Sequence, residues 1–239
     1  MREVFTRVED GMSVTIETTQ SAYGYSNTYS WLVSIFIKFD ADNEKQEGFE
    51  EFLETKEALI IALEHDGVAK YVGSRVVDGW SELYFYAKDS KGLNNTIATI
   101  LQPSHYAYES TVVKDAKWDF HYKNLMPNEL ELAHIQSDKI IYLLEEEGDI
   151  LTTPRVVEHY LSFDTPTQKE RFLEKLDSLD FDFKDEISSD EFENGIALKK
   201  EHAVTKNEVK KVVEELFELL KEAQGYYEGW STTLVESNV

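Results

Sequence analysis

Two helix-start signals in the second half of the chain fix the order of its elements. Thr165-Pro166-Thr167-Gln168 is a capping box, with Thr165 as N-cap, Pro166 at the first helical position and Gln168 reaching back. Thr205-Lys206-Asn207-Glu208 is a second. Phe172, Leu173, Leu176 and Leu179 follow the first; Val209, Val212, Val213, Leu216, Leu219 and Leu220 follow the second at i, i+3, i+4, i+7 spacing. Around these helices, residues 156–163, 181–187, 195–204 and 226–234 read as strands, with Gly225 stopping the second helix. An entry helix over 128–147, with a break expected around Ser137-Asp138, starts just after Pro127 and ends at Gly148. Beyond that helix the order is βαββαβ, the plan of a ferredoxin-like sandwich.

The first half shows the same mixture. Met12, Val14 and Ile16 alternate with polar residues, a polar loop covers 20–28, and 30–39 is apolar on both faces, as a central strand is. Residues 48–65 switch to helical spacing, with Phe49, Phe52, Leu53, Leu59, Ala62 and Leu63 on one stripe. Asp78-Gly79 joins strands 69–77 and 80–87 as a hairpin, 92–101 is a short helix closed by Pro103, and 106–115 is a further strand. The reading is α+β: two α/β-sandwich domains with mainly antiparallel sheets, residues 1–126 and 127–239, with helices on one face of the first sheet.

Asp and Glu total 47 against 24 Lys and Arg, a net charge of -23. Residues 127–239 alone hold 27 acidic and 12 basic side chains. Such a field repels nucleic-acid phosphates and anionic membranes and attracts basic protein surfaces. No cysteine is present, which removes disulfides and thiolate chemistry. The amino-terminal residues are charged, unlike a signal peptide, and the longest apolar run, 31–39, is too short to span a bilayer. A cytoplasmic protein without a cofactor is expected.

Asp180, Asp182, Asp185, Glu186, Asp190, Glu191 and Glu193 crowd one strand and its turn. Edge charges can serve only to block aggregation; a docking surface for a basic segment is the functional alternative. Glu228 and Trp230 complete the candidate partner-binding set, Trp230 as a core anchor or an interface anchor. Glu145-Glu146-Glu147 reads as a solvated helix end, because calcium loops space their oxygens at alternate positions. None of the six histidines has metal-ligand spacing, and His159 beside Glu158 reads as a packed core or surface histidine. An enzyme reading requires His105, His121 and Asp119 to converge.

The stretch from Asp149 through Arg155-Val156-Val157-Glu158-His159-Tyr160-Leu161-Ser162-Phe163, with Gly225-Tyr226-Tyr227-Glu228-Gly229-Trp230-Ser231-Thr232, resembles the regulator of ribonuclease E activity B family over residues 132–239. Glu228 and Ser231-Thr232 depart from that family's usual Asp and Glu-Thr. The first domain is similar to a bacterial family of unknown function often fused ahead of it, through residues 31–39, Tyr71-Val72-Gly73 and Leu83-Tyr84-Phe85-Tyr86-Ala87. The resemblance implies a non-catalytic regulator that binds the scaffold region of ribonuclease E and restrains RNA decay. An immunity-like inhibitor of a basic nuclease and a hydrolase sited in the first domain are the alternatives.

Overall fold

Two Asp-Gly pairs turn strands of the first unit back on themselves. Asp10 and Gly11 (φ 50° and 81°) join β1 (Arg2–Glu9) to β2 (Met12–Thr19), and Asp78 and Gly79 (φ 50° and 72°) join β4 (Ala69–Val77) to β5 (Trp80–Ala87). Paired positive φ values are what a two-residue hairpin demands. The computed structural model describes residues 2–19, 28–41, 46–176, 180–188 and 193–236. The expected loop at 20–28, Leu179 and most of the turn at 188–194 fall largely or wholly outside these. The chain divides into two units, Met1–Met126 and Pro127–Val239.

In the first unit β3 (Trp31–Ile37), α1 (Gln46–Glu64), α2 (Leu93–Leu101) and β6 (Tyr108–Lys114) complete an antiparallel sheet of order β1-β2-β4-β5-β3-β6. Strand β1 was not expected, although Asp10-Gly11 ahead of the alternating residues 12–16 is a hairpin signal. Val33, Ile35, Ile37, Leu83 and Phe85 point to one face and meet Phe52, Leu59 and Leu63 of α1 and Leu93, Ile97 and Leu101 of α2. Leu53 and Ala62, expected on the apolar stripe of α1, are exposed and half-buried, and Ile60 is buried. The opposite face is covered by the unit's closing segment. Trp118 stacks on Tyr86 at 4.0 Å and its Nε1 donates to Tyr29 O at 2.6 Å. Asp115 accepts from the Tyr86 hydroxyl at 2.6 Å and from the backbone N–H groups of Asp119 and Phe120.

The second unit starts with α3 (Glu129–Glu146), capped by Asn128 and Glu131 in a reciprocal box. It is unbroken at Ser137: that hydroxyl bonds back to Ala133 O at 2.7 Å and accepts from Trp230 Nε1 at 3.0 Å, so the polar side chain is satisfied without a kink. Then follow β7 (Arg155–Phe163), α4 (Pro166–Leu176), β8 (Asp182–Ile187), β9 (Asn194–His202), α5 (Lys206–Ala223) and β10 (Gly225–Thr232). The antiparallel order β10-β7-β9-β8 is that of a ferredoxin-like sheet. Thr165 and Gln168 form the expected box, and Thr205 accepts from Glu208 N–H at 3.5 Å. All three helices bury apolar side chains on one face of the sheet. Each of Val209, Val213 and Leu216, fully buried in α5, contributes roughly 1.5–3 kcal/mol by leaving water.

Between α3 and β7 the acidic run divides. Glu145, Glu146 and Glu147 are exposed, whereas the Asp149 carboxylate is completely buried against Arg155, at 2.5 and 2.7 Å. Arg155 also donates to the carbonyls of Ile150, Thr153 and Thr233, and Asp149 accepts from Val235 N–H. The Arg155 hydrogen bonds hold the Asp149 carboxyl below the usual carboxylate range.

Gly225 does not make the left-handed turn that ends α5; Gln224 does, at φ 58°. Gly225 is there for space, since a Cβ would lie 2.5 Å from the Phe163 ring and 2.8 Å from Leu220. Both neighbours are core residues. Gly225→Ala is expected to cost about 1–3 kcal/mol through overpacking, read as a lowered urea midpoint for the second unit.

Candidate functional site

Side chains on β7, β9 and β10 alternate between the helix-covered face and an open one. Val157, His159, Leu161 and Phe163 of β7 point inward; Val156, Glu158, Tyr160 and Ser162 point outward. In β10 the register slips by one residue between Tyr227 and Gly229. This bulge lets both Tyr227 and Trp230 pack with the helices and sends Glu228 to the exposed side.

The open face is polar and hydrogen-bonded. Tyr160 donates to Glu158 at 3.2 Å and shares a 2.7 Å bond with Ser231; Ser162 donates to Glu228; Tyr226 donates to Asp164 at 3.1 Å. At one end of the sheet, Asp164, Glu193 and Glu228, with Ser162, Asn194 and Tyr226, line a notch of about 410 Å³. Three carboxylates around such a space favour a cationic side chain.

Strand β8 is the sheet edge beside this face, and its first five residues are exposed. A second bulge lies between Phe183 and Asp185. Asp182 stands opposite Lys199, and Lys184 pairs with Glu158 at 2.5 Å. Glu186 pairs with Lys169 at 3.0 Å and Asp180 with Lys200 at 3.7 Å, while Asp185 accepts from the Glu186 N–H. The structure thus gathers Asp182, Asp185 and Glu186 on the edge and Glu193 and Glu228 in the notch. Asp190 and Glu191 lie outside the described residues. Trp230 must be taken off the surface: it is 5 % exposed and bonded to Ser137, so it cannot meet a partner without opening the core.

Beneath the open face lies a histidine pair. His159, fully buried, contacts the Tyr227 hydroxyl through Nδ1 at 3.0 Å and His202 Nε2 through Nε2 at 3.2 Å. His202 Nδ1 meets Ala203 O at 2.8 Å. A carbonyl can only accept, so His202 Nδ1 carries the proton; with both rings neutral, its Nε2 accepts from His159 Nε2–H, and His159 Nδ1 accepts from Tyr227. Adding a proton to either ring puts a hydrogen on His159 Nδ1, so the Tyr227 hydroxyl would have to accept where it now donates. Burial pushes His159 down to about 3 and lowers His202 as well.

The histidines of the enzyme reading stay apart. His105 is exposed and pairs with Glu51 at 3.5 Å, and Asp119 is exposed beside Lys123. His121 is buried against Trp118, which pushes it down to about 4. Among the described residues no three His, Asp or Glu side chains gather to hold a metal, and no helix is long and apolar enough to cross a membrane.

The folds and the acidic face define a two-unit α+β protein whose second half is a ferredoxin-like sandwich. The chain belongs to a family of unknown function (DUF695), whose model matches residues 3–126, and the model described as regulator of ribonuclease activity B matches residues 134–232. Both resemblances read from the sequence hold. The carboxy-terminal unit is thus similar to a family described as regulators of ribonuclease activity. A crystal structure of an unknown protein from Galdieria sulphuraria is similar at 12 % identity and a TM-score of 0.23, over 87 % of this chain and 98 % of that one. No curated protein matches the chain.

The histidine pair predicts an acid-sensitive second unit. A folded-state pKa below the unfolded 6.5 means that the unfolded chain binds more protons, so stability is full above about pH 6.5 and falls on acidification towards about 3. From pH 7 to 5, His159 alone should remove about 2 kcal/mol. Urea titrations followed through the Trp230 indole N–H resonance should show this slope in the wild type and a flatter one in His159→Gln.

Proposed function

We propose that this chain is a non-catalytic regulator that binds a basic segment of an RNA-degrading enzyme, such as ribonuclease E, through the second unit. The reading rests on one observation above all: the exposed edge strand β8 is acidic, and Glu193, next to the start of its partner strand β9, lines a notch with Asp164 and Glu228. The match to a family of ribonuclease regulators supports it.

Edge strands pair with extended segments through backbone hydrogen bonds, and alternate side chains supply selectivity. Asp182, Asp185 and Glu186 repel the same strand of a second copy and favour one rich in Lys or Arg. In this reading a cationic side chain of the bound segment enters the notch, beside Glu228. The two functions of edge charges then coincide: the carboxylates that prevent self-association select the partner. The net charge of -23 disfavours direct contact with RNA or an anionic membrane, so regulation runs through the enzyme and not through its substrate. The site of action in this reading is the cytoplasm.

The test is binding of the full chain to the immobilised scaffold region of ribonuclease E. Combined Asp182→Asn, Asp185→Asn, Glu193→Gln and Glu228→Gln should weaken it at least tenfold. Wild-type affinity should fall severalfold between 50 and 300 mM salt, as steered association does. Equal binding by the amide variant would remove the acidic face as the docking surface.

A further inference from the structure

The first unit contains a cleft that the proposed regulation does not use. Sheet register builds its floor. Val4, Glu17, Ser74 and Leu83 are successive cross-strand neighbours on β1, β2, β4 and β5, and Thr15, Val76 and Ser81 form the next row on the same face. Helix α1 forms the other wall with Phe49, Leu53 and Lys56, and the space enclosed is about 200 Å³. Val4 and Leu53, 60 % and 42 % exposed, are apolar side chains left open to solvent at its margin.

Its polar end is buried and charged. Lys56 is 9 % exposed and its Nζ lies 3.2 Å from both Glu17 Oε2 and Ser74 Oγ. An ammonium group has three N–H bonds, so one remains beyond these two oxygens, with the Tyr71 ring centroid 5.6 Å from Nζ. Glu17 accepts from the Tyr71 hydroxyl at 2.8 Å and lies 3.9 Å from Arg2 Nη1, whose guanidinium sits over the Tyr71 ring. Nearby Glu64 accepts from Tyr71 N–H and lies 3.9 Å from Lys70. Two cations, Lys56 and Arg2, thus face the carboxylate of Glu17, while the exposed Glu57 attracts Lys56 more weakly.

Burial lowers the Lys56 pKa, opposed by the attraction of Glu17. A lysine at a core-facing position of α1 is costly if its only role is packing. A guest that brings an anionic acceptor to the amine offsets that cost, and its apolar body would cover the side chains that the cleft leaves open to solvent.

We propose that this cleft binds a small monocarboxylate, its carboxylate taken by Lys56 and its apolar body, ring-sized or branched, held between Phe49, Leu53, Val76 and Leu83. The volume suits a guest several times the roughly 30 Å³ share of one water. The site lies wholly in the first unit and is independent of the acidic face of the second.

Calorimetric titration of the full chain with sodium benzoate, benzyl alcohol and benzylamine tests this. Benzoate should bind at least tenfold more tightly than the alcohol, and the amine should give no binding heat. Lys56→Met should abolish benzoate binding. Val76→Trp, which fills the cleft and leaves Lys56, Glu17 and Ser74 in place, should abolish it too, so the result does not depend on the lysine variant folding. Absence of benzoate binding, equal binding of the alcohol, or binding that survives Val76→Trp would overturn the proposal.

Discussion

At Glu228 the last strand carries one residue more than its neighbour, and the two faces of the second sheet follow from that insertion. Without it, strict alternation would place either Tyr227 or Trp230 on the open side. With it, both rings reach the helices, Tyr227 meets His159, Trp230 meets Ser137 of α3, and a carboxylate is ejected beside Ser162. The helix-covered core and the acidic notch are therefore consequences of one register change. Bulges commonly re-aim side chains, and this one does so on both sides of the sheet.

A chain this acidic must be held against its own repulsion. In the second unit the charges that are buried are paired, as Asp149 and Arg155 are, or neutral, as His159 and His202 are. The surplus is pushed outward, onto β8, the end of α3 and the rim of the notch. Breaking the Asp149–Arg155 pair would strand a charge in the core, at a cost of about 3–5 kcal/mol. That pair also ties the loop after α3 to the chain leaving β10.

Elements announced by local chemistry were legible. Capping boxes marked α4 and α5, Asp78-Gly79 marked the central hairpin, and the element order gave the sandwich. Features set by tertiary contact were not. Strand β1 alternates poorly, because Val4 and Val8 are exposed at an edge while Phe5 is buried. Ser137 suggested a break in α3, yet the Trp230 indole satisfies its hydroxyl from far along the chain. Asp149 sat in a run of acids and only its distant partners distinguish it. Lys56 had a signal: it shares the helical spacing of Phe52, Leu59 and Leu63, but a lysine on that stripe reads as solvated until Glu17 and Ser74 are seen beside it. The acidic β8 edge was visible as composition; the notch that joins Glu193 to Glu228 required the sheet order.

The chain of bonds from Tyr227 through the two imidazoles to Ala203 has a direction, because its final acceptor cannot donate. Neither tautomer can reverse alone: reversing one leaves nitrogen facing nitrogen with two protons or with none. Strands β7, β9 and β10 are thus coupled by a proton order as well as by their ladders. Sliding β7 against β9 by a single position would break the bond between the imidazoles, and sliding it against β10 would break the bond to Tyr227, so this polar thread pins the alignment of the sheet.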